Sequence, residues 1–83
     1  MSDNDMTKND FYKALDEVFS LASGTITGKE LLSDSNLVDS LSMLGLLLML
    51  DKKFNLQMSP DEIKAIGTIE ELFYATEKAV AQS

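Results

Sequence analysis

The side chains that could do chemistry unaided are few in this sequence. Its 83 residues include no histidine, no cysteine and no arginine. A Ser-His-Asp triad, a thiolate nucleophile and a zinc site of the usual ligands are therefore excluded. A serine without a catalytic base cannot act as a nucleophile on its own account, but it can accept a group from another enzyme. We therefore expect no catalytic residues, no metal ligands and a protein that is not itself an enzyme.

Ser40 is the serine whose setting favours such a modification. It stands between Asp39 and Leu41, after a long loop and at the predicted start of an apolar helix. Free backbone N–H groups and the positive end of the helix dipole favour an attached phosphate at that position. The Asp-Ser-Leu triplet alone is weak evidence, because Asp and Ser are common where helices begin.

A calcium loop is a second chemistry to consider, because residues 34–39 begin with Asp34 and Asn36 at alternate positions. The spacing fails, since Val38 holds the fifth ligand position and Asp39 stands where a glycine is required. A calcium sensor is therefore not expected.

The charge balance restricts the possible partners. Fourteen Asp and Glu face seven Lys, which gives a net charge of −7. Such a chain repels nucleic acids and anionic membrane surfaces, and favours partners with basic patches. The apolar run at residues 41–50 is about half the ~20 residues that a membrane span needs. Residues 1–10 are polar and acidic, unlike a signal peptide. We expect a monomeric, cytoplasmic protein with no membrane span and no nucleic-acid partner.

The elements that position Ser40 follow from apolar spacing. Residues 1–8 are expected to be a disordered tail, and residues 9–83 one domain. A first helix is predicted over residues 9–22, with Asn9 as its cap and Gly24 at its end. Its apolar positions are Phe11, Leu15, Val18, Phe19 and Ala22. Residues 23–38 form a long loop, and its apolar residues should hold it on the core; they are Ile26, Leu31, Leu32 and Leu37.

Three more helices are predicted after the loop. The second spans residues 40–54, with Asp39 at its start, Lys52 and Lys53 in its last turn and Asn55 as a left-handed stop. A short third helix starts at the Ser59-Pro60 cap and ends at Gly67. The fourth begins with a capping box, Thr68 with Glu71, and ends near residue 81. Its apolar face comprises Ile69, Leu72, Phe73, Thr76 and Val80. The fold class is all-α, a small four-helix bundle of three main helices and a short one.

The second helix is apolar on every side, since eight of the ten residues 41–50 are Leu or Met. Leu41, Leu44 and Leu48 share one face, and the opposite side comprises Met43, Leu46, Leu47 and Leu50. A bundle this small cannot bury both faces, so one is left in water. The exposed face is either a surplus of core residues, a docking surface for partners, or a sign that the core opens for an apolar ligand.

Several segments together resemble the acyl carrier protein family. Residues 38–54 (VDSLSMLGLLLMLDKKF) resemble its attachment-site helix, in which Asp-Ser-Leu opens an apolar helix that closes on Phe. Residues 59–63 (SPDEI) and 67–72 (GTIEEL) look like its short third helix and the start of its fourth. Residues 24–32 (GTITGKELL) resemble the loop of a specialised stand-alone subgroup. The resemblance covers roughly residues 10–80.

This resemblance implies a cofactor and a set of partners. Ser40 would carry 4′-phosphopantetheine, installed from coenzyme A by a holo-carrier-protein synthase (a phosphopantetheinyl transferase), and the arm's thiol would hold an acyl cargo as a thioester. Asp39 is expected to assist the Mg²⁺-dependent modification, and Leu41 to contact partners. The partners implied are a ketosynthase, an acyl ligase or an acyltransferase, as in fatty acid biosynthesis and other lipid metabolism. If the cargo is sequestered, the candidate pocket residues are Leu44, Leu47, Phe54, Ile66, Ile69 and Phe73, each equally explained as core.

The sequence also departs from the family. Carriers of fatty-acid synthesis line this helix with acids, whereas here the positions are Ser42, Gly45, Lys52 and Lys53, with Asp51 alone acidic. Gly45 costs about 1 kcal/mol against Ala in mid-helix, which suggests close approach of a partner backbone, a soft helix, or drift. We therefore expect docking through Leu41, Leu44 and Leu48, and a specialised lipid or secondary-metabolite pathway. A non-enzymatic adaptor that binds a partner helix through the same stripe, with Ser40 unmodified, is the alternative.

Overall fold

Four helices make up the fold, in a computed structural model that describes residues 7–82. They are α1 (Lys8–Val18), α2 (Ser40–Phe54), α3 (Pro60–Ile66) and α4 (Ile69–Gln82). The part of the chain described contains no strand, and one isolated antiparallel bridge joins Leu31 to Thr68. The predicted all-α class, with three main helices and a short third, is confirmed.

One apolar core holds α1, α2 and α4 together, with α3 packed on α4. Phe11 of α1 lies at its centre with no exposed surface. Its ring meets that of Phe54 edge-on, with centroids 6.0 Å apart, and tilts against Phe73 at 5.4 Å. Such aromatic contacts add to the free energy gained by burying the rings. The side chains from three different helices are thereby fixed around one aromatic residue.

The bounds predicted for the first helix were wrong at both ends. Helix α1 begins at Lys8, because Thr7 and Asp10 form a capping box in which each side chain bonds the other's backbone N–H. Lys8 then pairs with Glu70 of α4 at 3.0 Å. Residues 7 and 8 therefore belong to the folded domain, and the rest of the predicted tail, residues 1–6, lies outside the described part.

The other end of α1 comes at Val18 rather than residue 22. Ser20 adopts a left-handed conformation, with φ of 58°. Its N–H donates to the Glu17 carbonyl at 3.1 Å, and the Leu21 N–H donates to the Asp16 carbonyl at 2.7 Å. This pair of bonds is the Schellman ending of a helix, formed here without glycine. Gly24 lies farther along, in the loop.

The predicted ends of the other helices are confirmed. Asp39 caps α2, and Asn55 follows it in the left-handed region at φ 52° and ψ 36°. Ser59 and Glu62 form a capping box at α3, which ends before Gly67. Thr68 and Glu71 form the third box, at α4. These ends depend on side chain to backbone bonds within a few residues, which is why local sequence specifies them.

Two carboxylates fix the path of the loop between α1 and α2. Asp16, with 2% of its surface exposed, accepts bonds from the backbone N–H groups of Gly24 and Ile26, both at 2.9 Å. Glu30 accepts from the N–H groups of Thr27 at 2.9 Å and Gly28 at 2.8 Å. Buried backbone donors need such partners, so the loop has a defined path although it has no regular structure.

The same loop also supplies hydrogen-bond acceptors to the first turn of α4. The carbonyl oxygens of Gly28 and Glu30 accept from the N–H groups of Glu70 at 2.9 Å and Ile69 at 3.0 Å. These donors lie in the first turn of α4, where a helix cannot satisfy them itself. Gly28 has φ of 100°, and an added Cβ would collide with the Tyr12 hydroxyl. Glycine is therefore required where the loop crosses α1.

The apolar residues of the loop behave as predicted with one exception. Ile26 and Leu32 are buried, and Leu37 packs partly against the core. Leu31 is 54% exposed, so the prediction that it holds the loop on the core was wrong. It is the backbone of Leu31 that pairs with Thr68, and this pairing turns its side chain toward solvent.

Candidate functional site

Ser40 lies at the first position of α2, with its side chain exposed. Two turn bonds bring the chain to it, from the N–H groups of Leu37 at 3.1 Å and Val38 at 2.9 Å to the Asp34 carbonyl. Val38 is buried and fixes the end of the loop. No side chain or backbone group of residues 7–82 forms a hydrogen bond with the Ser40 hydroxyl. The structure thus presents this hydroxyl to solvent from a fixed backbone.

Asp39 prepares the start of α2. Its Oδ1 accepts from the Ser42 N–H at 2.8 Å, and its carbonyl accepts from the Met43 N–H at 2.8 Å. The bond from the Ser42 N–H, helped by the Ser42 side chain, holds the pKa of the Asp39 carboxyl below its usual range. Asp39 is therefore ionised at neutral pH and lies next to the hydroxyl of Ser40.

An open depression of about 420 Å³ lies beside Ser40. The loop, the first turns of α2 and one side of α3 form its walls. Lining residues are Ser35, Val38, Asp39, Ser40, Met43, Pro60 and Lys64. Pro60 and Lys64 are four residues apart and so share a face of α3. The site therefore combines a free hydroxyl, a carboxylate, an ammonium group and an apolar floor.

The hydroxyl of Ser40 and the ammonium group of Lys64 are both exposed in the depression. The side chain of Lys64 is exposed, whereas lysines that serve as catalytic bases are typically buried. In residues 7–82, carboxylates do not gather into a cluster of three or more that could hold a metal ion. The exposed hydroxyl of Ser40 is accessible to the active site of a second protein.

The two faces of α2 differ sharply in exposure. Leu41, Leu44 and Leu48 are 79%, 54% and 51% exposed, and we call these three residues the leucine stripe. On the other side Met43, Leu46 and Leu50 are buried, and Leu47 is partly buried. The predicted division of this helix into two faces is confirmed, and the leucine stripe runs from Ser40 along more than half the helix.

Gly45 lies where α2 packs against α1. An added Cβ would lie 3.1 Å from Cγ1 of Val18 in α1, which is tighter than ordinary van der Waals contact. The glycine thus lets α1 and α2 approach closely, which is a reason for glycine that the sequence did not suggest. Sequence alone could not show this, because the neighbour is 27 positions away along the chain.

Five of the six candidate pocket residues belong to or pack against one core, and Leu44 does not. Phe54, Ile69 and Phe73 are buried in the core, and Leu47 and Ile66 pack partly against it. Leu44 is exposed, so its predicted place in an interior pocket was wrong; it lies on the leucine stripe. None of the six lines the depression beside Ser40, whose apolar floor includes Val38 and Met43.

Several residues of this region escaped sequence reasoning. Asp16 and Glu30 hold the loop, and Lys64 and Pro60 form the far wall of the depression. For Asp16 the sequence held one signal of a structural role, which is a carboxylate next to Leu15 in an amphipathic helix. For Lys64 there was none, since nothing local places α3 beside the start of α2.

Comparisons of the chain with protein-family models, with curated proteins and with solved structures gave no match. Within residues 7–82, none of the helices has the length and apolar character needed to cross a membrane.

Proposed function

We propose that this protein is an acyl carrier protein, which holds acyl intermediates as thioesters on a 4′-phosphopantetheine arm at Ser40. The observation that carries the proposal is the position of Ser40: exposed, unpartnered, first in α2 and beside an open depression. The resemblance of residues 38–54 to the attachment-site helix of that family supports the same serine.

The residues around Ser40 fit the phosphate of such an arm. The first N–H groups of α2 carry partial positive charge, and Lys64 adds a full one across the depression. The depression offers both apolar and polar walls to the chain beyond the phosphate. The bound group would supply the thiol that forms the thioester; this chain supplies the attachment oxygen and a rigid platform.

Attachment itself would require a second protein. In the proposed reaction, Ser40 Oγ forms a bond to the phosphorus next to the pantetheine of coenzyme A. The bond from that phosphorus to adenosine bisphosphate breaks, and the hydroxyl proton passes to a base of the transferase. Asp39 would help hold the Mg²⁺ that neutralises the phosphates. No step needs a base from this chain, in keeping with its lack of histidine.

The leucine stripe is the proposed docking surface. Partners would include the phosphopantetheinyl transferase and a ketosynthase, acyl ligase or acyltransferase of a specialised lipid or secondary-metabolite pathway. Three leucines aligned beside the attachment serine allow a partner to bind the helix and receive the arm together. A monomer in the cytoplasm is the proposed state, since a carrier must leave one partner to reach the next.

Intact mass tests the attachment directly. The protein is incubated with coenzyme A, Mg²⁺ and a broad-specificity phosphopantetheinyl transferase, and its intact mass is then measured by mass spectrometry. We expect one phosphopantetheine on the wild type and none on Ser40→Ala. Ser33→Ala, at an exposed serine of the loop, is the control and should be modified fully. An unmodified wild type, or an equal adduct on Ser40→Ala, would refute the assignment.

Two equally exposed leucines test the docking surface. Leu44 in the stripe and Leu31 in the loop are each 54% exposed. Leu44→Ala should lower kcat/KM for modification about tenfold, as expected when a central contact of an interface is lost. Leu31→Ala should leave it unchanged. Equal effects of the two substitutions would show that the stripe is not the docking surface.

A helical adaptor is the second candidate, and the exposure of the leucine stripe is the observation that favours it. In that role the stripe binds a partner helix and Ser40 stays unmodified. The mass measurement separates the two functions, because an adaptor gives no adduct under conditions that modify a known carrier completely.

A further inference from the structure

Lys64 is a cation with no counterion in the part of the chain that the structure describes. It lies in the last turn of α3, its side chain is exposed, and no carboxylate lies within ion-pair distance. The only other charged group that lines the depression is Asp39, whose Oδ1 is already bonded to the Ser42 N–H. In a protein of net charge −7, Lys64 is the one cation among the residues that line the depression.

The depression places that cation opposite the attachment serine. Ser40 and Lys64 line the same cavity, on α2 and α3 respectively. A phosphodiester on Ser40 Oγ would stand at the rim of this cavity, since the side chain is the first of α2. A lysine has a flexible four-carbon stem with a compact charge at its end, which suits it to reach a phosphate oxygen across such a gap.

We propose that Lys64 is a positioning residue, whose ammonium group pairs with the phosphodiester on Ser40 and holds the first part of the arm against α3. The inference rests on the proposed function, because the anion it requires is the attached phosphate. The consequence is a preferred direction for the arm, over the depression and away from the leucine stripe. The stripe then stays free for a partner while the arm is held.

Phosphorus-31 NMR of the modified protein tests this pairing. Lys64→Gln is compared with Lys53→Gln, an exposed lysine in the last turn of α2, about 20 Å along the helix axis from Ser40. The phosphodiester resonance should shift in Lys64→Gln and stay in place in Lys53→Gln. In 0.5 M NaCl, roughly enough to screen an exposed pair, the wild-type resonance should move toward that of Lys64→Gln.

A second readout follows the stability of the fold. The thermal midpoint of each variant is measured before and after modification, at low salt. Modification should raise the thermal midpoint of the wild type and of Lys53→Gln by a similar amount. It should raise the thermal midpoint of Lys64→Glu by a smaller amount, or lower it. Since Lys64 is exposed, both of its variants should fold.

The outcomes separate this inference from the proposed function. If the wild type gains no phosphopantetheine by mass, the proposed function fails and the pairing fails with it. If the adduct forms but the phosphorus resonance and the midpoint changes are alike in all variants, Lys64 does not hold the phosphate and the carrier function stands.

Discussion

The chain before Ser40 and the helix after it are held in place in different ways. The loop of residues 19–39 combines burial of Ile26, Leu32 and Val38 with directional bonds, above all those that backbone N–H groups donate to Asp16 and Glu30. Helix α2 depends on burial of one apolar face, and the leucine stripe on its other face is exposed over half or more of each side chain. Directional bonds and the buried side chain of Val38 together fix where the serine lies, while one-sided burial of α2 leaves an apolar surface exposed.

Replacing a leucine on each face of α2 should give the largest difference. Leu46 is fully buried and Leu48 is 51% exposed, two residues apart in the same helix. Leu46→Ala should lower the free energy of unfolding by about 2–5 kcal/mol, because it leaves a cavity in the core. Leu48→Ala should change it by less than about 0.5 kcal/mol. Urea denaturation of both variants measures the contrast, and similar losses would mean that both faces are packed.

The hydrogen bonds that Asp16 accepts from the loop can be weakened without changing an apolar core residue. In Asp16→Asn one of the two accepting oxygens becomes an amide that cannot accept from Gly24 or Ile26. We expect a loss of about 1.5–3 kcal/mol in unfolding free energy, as for bonds to a buried charged group. Hydrogen exchange of the Gly24 and Ile26 amides should accelerate. Glu17→Gln, the exposed neighbouring carboxylate, is the control, and equal exchange in the two variants would contradict the role given to Asp16.

Gly45 and Val18 test how closely the two helices must approach. Gly45→Ala gains about 1 kcal/mol of helix propensity but presses a methyl group on Val18 Cγ1, so the net change should be small. In a Val18→Ala background the same substitution should stabilise by close to the full gain. A double-mutant cycle in urea measures the coupling. A coupling of zero would show that Gly45 is not required by this contact.

The smallest effect should be a pH dependence of the loop. Burial opposes ionisation of Glu30, but the bonds from the Thr27 and Gly28 N–H groups outweigh it and lower the pKa of the carboxyl. Its contribution to stability is therefore present above the unfolded pKa, near 4.3, and is lost as pH falls through the lower pKa of the folded state. The difference in unfolding free energy between wild type and Glu30→Gln should become slightly smaller as the pH falls from 6.5 to 3, and the change is small because the site is partly solvated. A gap that widens on acidification would contradict the lowered pKa.

Local sequence was enough wherever a few neighbouring residues decide the structure. The start and end of α2 and α3, and the division of α2 into two faces, followed from Asp39, Asn55, the Ser59-Pro60 cap and the leucine spacing. The end of α1 was predicted wrongly, because Ser20 took the left-handed conformation that glycine usually adopts. Its energetic support comes from packing and from bonds of the Schellman ending, which residue type alone does not reveal.

Composition and local spacing establish that the protein is a small acidic helical bundle without histidine, cysteine or arginine, and that Ser40 opens its most apolar helix. The packing of the helices sets which face of that helix is buried, brings Gly45 against Val18, and puts Lys64 across a depression from Ser40. Composition is given by the sequence directly, and caps depend on residues a few positions apart, so both can be predicted without the fold. The position of α3 beside the start of α2 depends on the packing of the whole core, and that is where the candidate site acquires its second wall.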